Sequence, residues 1–224
     1  MNIKITRQHF EYLNNLVIEK FIVGSKMYGT STETSDTDYL CIFKSEFLSD
    51  LYYPNYHQLQ YDDIENNSQY MFTSEQHFYN NLFSGDATIN ADVVMFSGMD
   101  LSQSKRLNMC RTYNVIKAYI GFAKRDLKMI KQGKSKLFHI DRGLYCAEKL
   151  LDNKLPELSD IKNLFLNPSS FEHLKEMEDY LKFRCNSFYE QGIITRYPKD
   201  PIIQSINDLE KLLIESNNIK EFKY

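Results

Sequence analysis

Behind Thr6, the apolar residues Phe10, Leu13, Leu16 and Val17 recur at helical spacing, which predicts a Thr-capped helix over about 7–19. Phe21-Ile22-Val23 then reads as a short buried strand, stopped by Gly24-Ser25. A short helical turn at SKMYG and a polar loop over 30–35 lead to a second apolar run, 36–43, patterned as a strand covered on both faces. Residues 44–73 lose this order: they are rich in Tyr and Asn, and only 70–73 is patterned as a strand. Ser74 is placed to cap a helix over 75–83. The apolar run 92–96 reads as another strand, with Asp92 at its entrance.

From about Ser102 the period is helical throughout. Leu107, Cys110, Tyr113, Ile116, Tyr119, Ile120 and Ala123 predict a helix to about 131. Further helices are expected at 137–152, as a short turn at 160–165, from Ser169 or Ser170 to about 190 with Gly192 as the stop, and at 202–216. The pattern predicts an α+β chain, with a small α/β domain over 1–100 and a helical domain over 101–224, divided near Gly98–Ser102.

Composition narrows the class without naming a chemistry. With 224 residues, 42% hydrophobic and 25% charged, the balance is that of an ordinary globular protein. Four cysteines without a CxxC spacing argue against a thiolate zinc site and read as small buried hydrophobes. No stretch approaches the roughly 18 apolar residues of a membrane span, and the opening lacks the apolar core of a signal peptide. A cytoplasmic protein with no membrane partner is therefore expected. The net charge of -3 disfavours a surface that coats nucleic acid everywhere. Locally, however, Lys124, Arg125, Lys128, Lys131, Lys134 and Lys136 form a basic run. His139 and Arg142 follow at i and i+3, on one face of a helix. A phosphate-bearing partner suits this cluster; a solvated charge run is the plainer reading.

Candidate chemistry concentrates between the first two apolar runs. Asp36 and Asp38 stand at i and i+2, which on a strand points both carboxylates to one side. Held that close they repel each other, and a divalent cation between them relieves the repulsion. Oxygen donors of this kind suit Mg2+ or Mn2+. Gly24 permits a tight turn and the close approach of a ligand to backbone. Asp92, at the entrance of its expected strand, is the favoured third carboxylate, with Glu75, Asp86, Asp62 and Asp63 as rivals.

The stretch GSKMYGTSTETSDTDYLCIF resembles the signature of the polymerase-β-like nucleotidyltransferase superfamily: a GS pair, a spacer, a DxD pair on the next strand and a later acidic residue. Tyr28-Gly29 and Ser35 extend the match. YIGFAKRDL, HIDRGLYCAEKLL and LPELSDIKNLF resemble the helical tail of a bacterial and phage subgroup of predicted nucleotidyltransferases. The resemblance implies a palm-like mixed sheet followed by a helical substrate-binding domain. It implies transfer of a nucleoside monophosphate from a nucleoside triphosphate to an acceptor hydroxyl, with release of pyrophosphate. Gly24 and Ser25 would hold the phosphates. Asp36 and Asp38 would bind both metal ions, and Asp92 the ion beside the attacking hydroxyl. Lys134, His139 and Arg142 are nucleotide- or acceptor-binding candidates, with Lys117 and Lys26 behind them. An RNA or tRNA 3′ end is the favoured acceptor; a protein hydroxyl or a small molecule is the alternative.

Two other classes remain open on the residues themselves. One is a non-catalytic nucleotide-sensing or antitoxin-like module built on the same site. The other is a metal-dependent phosphoesterase, which such carboxylates also serve. The five histidines are scattered, however, and none lies near the DxD pair in sequence.

Overall fold

A computed structural model describes residues 2–44, 58–130 and 136–196 of the chain. These residues group into two compact units, 2–80 and 81–196. Residues 81–100 therefore belong with the helices, and the division falls ahead of the expected 100/101 boundary.

The first unit runs β1 (Asn2–Lys4), α1 (Arg7–Asn14), β2 (Val17–Val23), α2 (Gly24–Met27), β3 (Thr37–Phe43), β4 (Gln58–Asp63), β5 (Ser68–Ser74) and the start of α3 (Glu75–Ser84). Its five strands form one mixed sheet in the order β1-β4-β5-β3-β2. β1 pairs with β4 and β3 with β5 in parallel; β2–β3 and β4–β5 are antiparallel. Thr6 caps α1 as expected, its Oγ1 accepting from His9 N at 3.4 Å. The helix ends sooner than its apolar spacing predicts, because Val17 and Ile18 join β2, where β-branched side chains pack better. β4 lies inside the stretch expected to be irregular. Residues 45–57, which hold most of that stretch, lie outside the described residues.

Strand alternation sorts the sheet into two faces. Cys41, Phe43, Leu59 and Phe72 meet Leu13 of α1 in a buried cluster, with Tyr39, Tyr61, Tyr70 and Phe10 packed around it. Each large side chain buried in this way contributes about 1.5–3 kcal/mol. On β3, Asp38, Leu40 and Ile42 alternate to the other face.

The second unit is helical: α4 (Thr88–Phe96), α5 (Gln103–Cys110), α6 (Tyr113–Ile130), α7 (Leu137–Leu151), α8 (Leu158–Leu166) and α9 (Phe171–Glu190). The strand expected at 92–96 is part of α4. A short apolar run has no readable period, and here Asn90 to Met95 are all buried, as in a helix surrounded by its neighbours. The helix expected from 102 to 131 breaks at Arg111–Thr112, where Thr112 Oγ1 accepts from Val115 N at 3.3 Å and starts α6 afresh. Ser170 caps α9 through His173 N at 3.2 Å, and Gly192, at φ +68°, follows its end. All four cysteines are buried and free. Among the described residues no helix is long and apolar enough to cross a membrane. The helix expected at 202–216 lies outside them.

Candidate active site

The Gly-Ser turn and the aspartate pair are joined by two contacts. Gly24 takes φ +65°, and a Cβ added there would run into Asp38 Oδ2 and lie 3.2 Å from its Cγ. The carboxylate of Asp38 therefore rests against the Gly24 backbone, which only glycine leaves room for. The second contact is the Lys26 ammonium, which donates to Thr37 Oγ1. The intervening loop is closed on itself: Ser25 O accepts from Thr30 N at 2.9 Å and from Thr30 Oγ1 at 3.3 Å. Ser35 Oγ accepts from Thr32 N at 2.9 Å, and Ser35 N donates to Thr32 O. Ser35 thus shapes the turn that delivers Asp36.

Asp36 is exposed and Asp38 half-buried. Burial pushes the Asp38 carboxyl above its usual range, the charge of Asp36 pushes it further, and Lys26 works the other way. This is the electrostatics of a pair that gains by taking a cation. The donors fit one magnesium- or manganese-sized ion, which characteristically takes one or two carboxylates and completes its shell with phosphate oxygens and water.

Asp92 has a different environment from the one its sequence position suggests. It lies in the second unit, on α4, with 2% of its side chain exposed. Tyr119 donates its hydroxyl to Oδ1 at 2.6 Å, and Arg142 Nη1 meets Oδ2 at 2.9 Å. The two oxygens that would face a metal are held by an internal ion pair and a phenol. Arg142, expected to reach phosphate, is the other half of that pair, with 14% of its side chain exposed. His139, one turn earlier, is exposed; partial desolvation and then the Arg142 charge lower its pKa. Lys134 lies outside the described residues, as does Lys131. Lys117, Lys124 and Lys128 are exposed along α6. Among the described residues no three His, Cys, Asp or Glu side chains are grouped closely enough to share a metal ion.

Sheet register exposes residues that sequence reasoning passed over. Asp38 faces Val23 on β2 and Gln69 on β5, and Gln69 faces Asp62 on β4. Asp62 accepts from Gln60 Nε2 at 2.9 Å and Gln69 Nε2 at 3.2 Å, and pairs with Lys4 Nζ at 2.5 Å. These contacts hold its carboxyl below the usual carboxylate range, Lys4 contributing most. A polar row thus crosses three strands beside the aspartate pair. Asp62 was visible only as one of several rival acids, and Gln69 carried no signal at all. Their significance lies in pairing between strands, which spacing along the chain does not encode.

Neither a scan against protein-family models nor a search of curated proteins returns a match.

Proposed function

We propose that the first unit binds a nucleoside triphosphate with divalent metal, and that the chain transfers the nucleoside monophosphate to an acceptor hydroxyl. The observation that carries this reading is the seating of the Asp38 carboxylate on Gly24, which unites the phosphate-cradling turn and the acidic pair in one place. The palm-like description of the sheet belongs to the same proposal. Gly24 and Ser25 offer backbone N–H groups, and Ser25 a hydroxyl, to phosphate oxygens. Asp36 and Asp38 would hold a Mg2+ or Mn2+ ion, which would neutralise phosphate charge and make the α-phosphorus more electrophilic. The acceptor oxygen forms a new bond to that phosphorus as the bond to pyrophosphate breaks, and the hydroxyl proton leaves to solvent.

The test is label transfer. Protein is incubated with α-labelled triphosphates and cellular RNA, beside a D36N/D38N variant. The expected result is labelled RNA 3′ ends with the native protein alone. Label on protein or on a small molecule moves the acceptor to those classes, and label that persists in the variant overturns the mechanism.

A second reading, a nucleotide-binding module without turnover, is favoured by Gln69 beside Asp38 and by the engagement of both Asp92 oxygens within the helical unit. Tight triphosphate binding without pyrophosphate release from any triphosphate would select it.

A further inference from the structure

A carboxylate-bound cation on a sheet recruits a companion only if another anionic oxygen lies beside it. Paired phosphoryl-transfer ions stand about 3.5–4 Å apart. Neighbouring strands are about 4.8 Å apart, so a completing ligand comes from a position directly across from the first. For Asp38 there are two such positions. On β2 it is Val23, apolar and fully buried. On β5 it is Gln69. The neutral Gln69 amide turns its Nε2 towards Asp62 Oδ1, 3.2 Å away. Asp62 itself is one strand further out and is balanced by Lys4 at 2.5 Å. Asp63 pairs in the next row, opposite Ser68, and accepts from Asn66 N at 3.2 Å and Nδ2 at 2.8 Å. Asp92 spends both oxygens on Tyr119 and Arg142.

We propose that the Asp36–Asp38 pair takes a single divalent cation with its nucleotide, and that Gln69 is the residue that withholds the second. The inference rests on the nucleotide-site reading above and sharpens it. A triphosphate is held and polarised, while the acceptor hydroxyl has no metal of its own to make it more acidic. Gln69 has the length of glutamate and differs from it only in the terminal atom. Gln69→Glu loses its hydrogen bond to Asp62 and is repelled by it. The side chain then swings towards the cation held by Asp38, and the missing ligand is supplied.

Manganese EPR decides the matter without reference to turnover, because an isolated Mn2+ and a close-coupled pair give different hyperfine patterns. The full chain is titrated with Mn2+ in the presence of α,β-methylene ATP, with D36N/D38N as the blank for nucleotide-bound metal. The expected result is one uncoupled ion per chain in the native protein and a coupled pair in Gln69→Glu, whose thermal melt confirms that it is folded. A coupled pair in the native protein overturns this inference and leaves the nucleotide site standing. An uncoupled ion in both proteins overturns the role of Gln69. No ion above the blank in either overturns the nucleotide-site reading, and the inference with it. The native measurement is decisive by itself if the variant does not fold.

Discussion

Gly24 and Gly29 have nearly the same backbone angle, φ +65° and +66°, in very different surroundings. A side chain at Gly29 meets nothing within 4 Å, whereas one at Gly24 meets the Asp38 carboxylate. Gly29→Ala should therefore cost only the left-handed backbone penalty, about 1–2 kcal/mol in urea unfolding. Gly24→Ala should cost more, and it should abolish manganese-nucleotide binding, because the carboxylate must move. Equal losses of binding in the two variants would show that the Asp38 seat does not matter. Asp38 has its own signature. Its carboxyl is raised, chiefly by burial and then by Asp36, against the opposing charge of Lys26. A raised acid binds its proton more tightly in the folded chain. Its stabilising contribution is complete below the unfolded pKa and is lost as pH rises through the folded one. Asp38→Asn should then raise the melting temperature at neutral pH in metal-free buffer while losing the cation, a separation of stability from function. In the native protein, cation affinity should begin to fall at a higher pH than an ordinary aspartate would dictate, since protonated Asp38 is no ligand. Affinity that is flat down to the usual carboxylate range would contradict this.

At the scale of elements, α4 shows what a linear pattern hides. Phe21-Ile22-Val23 and the run from Asp36 to Phe43 were legible as strands because turn residues bound them. Val93-Val94-Met95-Phe96 carries the same kind of apolar run, yet it is helical, with Val93 to Met95 buried. Asp92 would be intolerable there alone, and its partners Tyr119 and Arg142 stand 27 and 50 residues away in the chain. Nothing local announces them. The Gly24–Asp38 half of the site was legible because its parts are close in sequence and share a turn. Gln69, which faces Asp38 only through the β3–β5 ladder, was not. The ion pair makes its own prediction. Asp92→Ala leaves a nearly buried guanidinium without its carboxylate and should destabilise the chain by about 3–5 kcal/mol. Asp92→Ala combined with Arg142→Met should cost clearly less than the sum of the single changes in urea titrations. A ligand role for Asp92 predicts the reverse: intact stability and lost manganese.

Across the whole molecule the charge is segregated in a way the total conceals. Residues 1–80 carry 5 basic and 11 acidic side chains, while 81–196 carry 18 and 14, all within a formal net charge of -3. An acidic sheet unit suits a cation-binding site. A basic helical unit suits a polyanion. Within the latter, Lys117, Lys124 and Lys128 are exposed at i, i+7 and i+11 of α6, a stripe of about 16 Å at 1.5 Å per residue. That length is enough to follow several phosphates of a single strand. If RNA is the acceptor, a K117A/K124A/K128A variant should label RNA more weakly and still bind α,β-methylene ATP with native affinity. The salt dependence separates this from a folding defect. Each lysine that neutralises a phosphate of a single strand contributes about 0.7 to the slope of log affinity against log salt. Removal of three such contacts should flatten the slope by about 2, as read by fluorescence anisotropy with a labelled oligoribonucleotide between low and physiological salt. A slope unchanged by the three substitutions would remove α6 from the RNA surface. The acceptor would then have to be sought among proteins or small molecules, whose recognition does not depend on a row of cations.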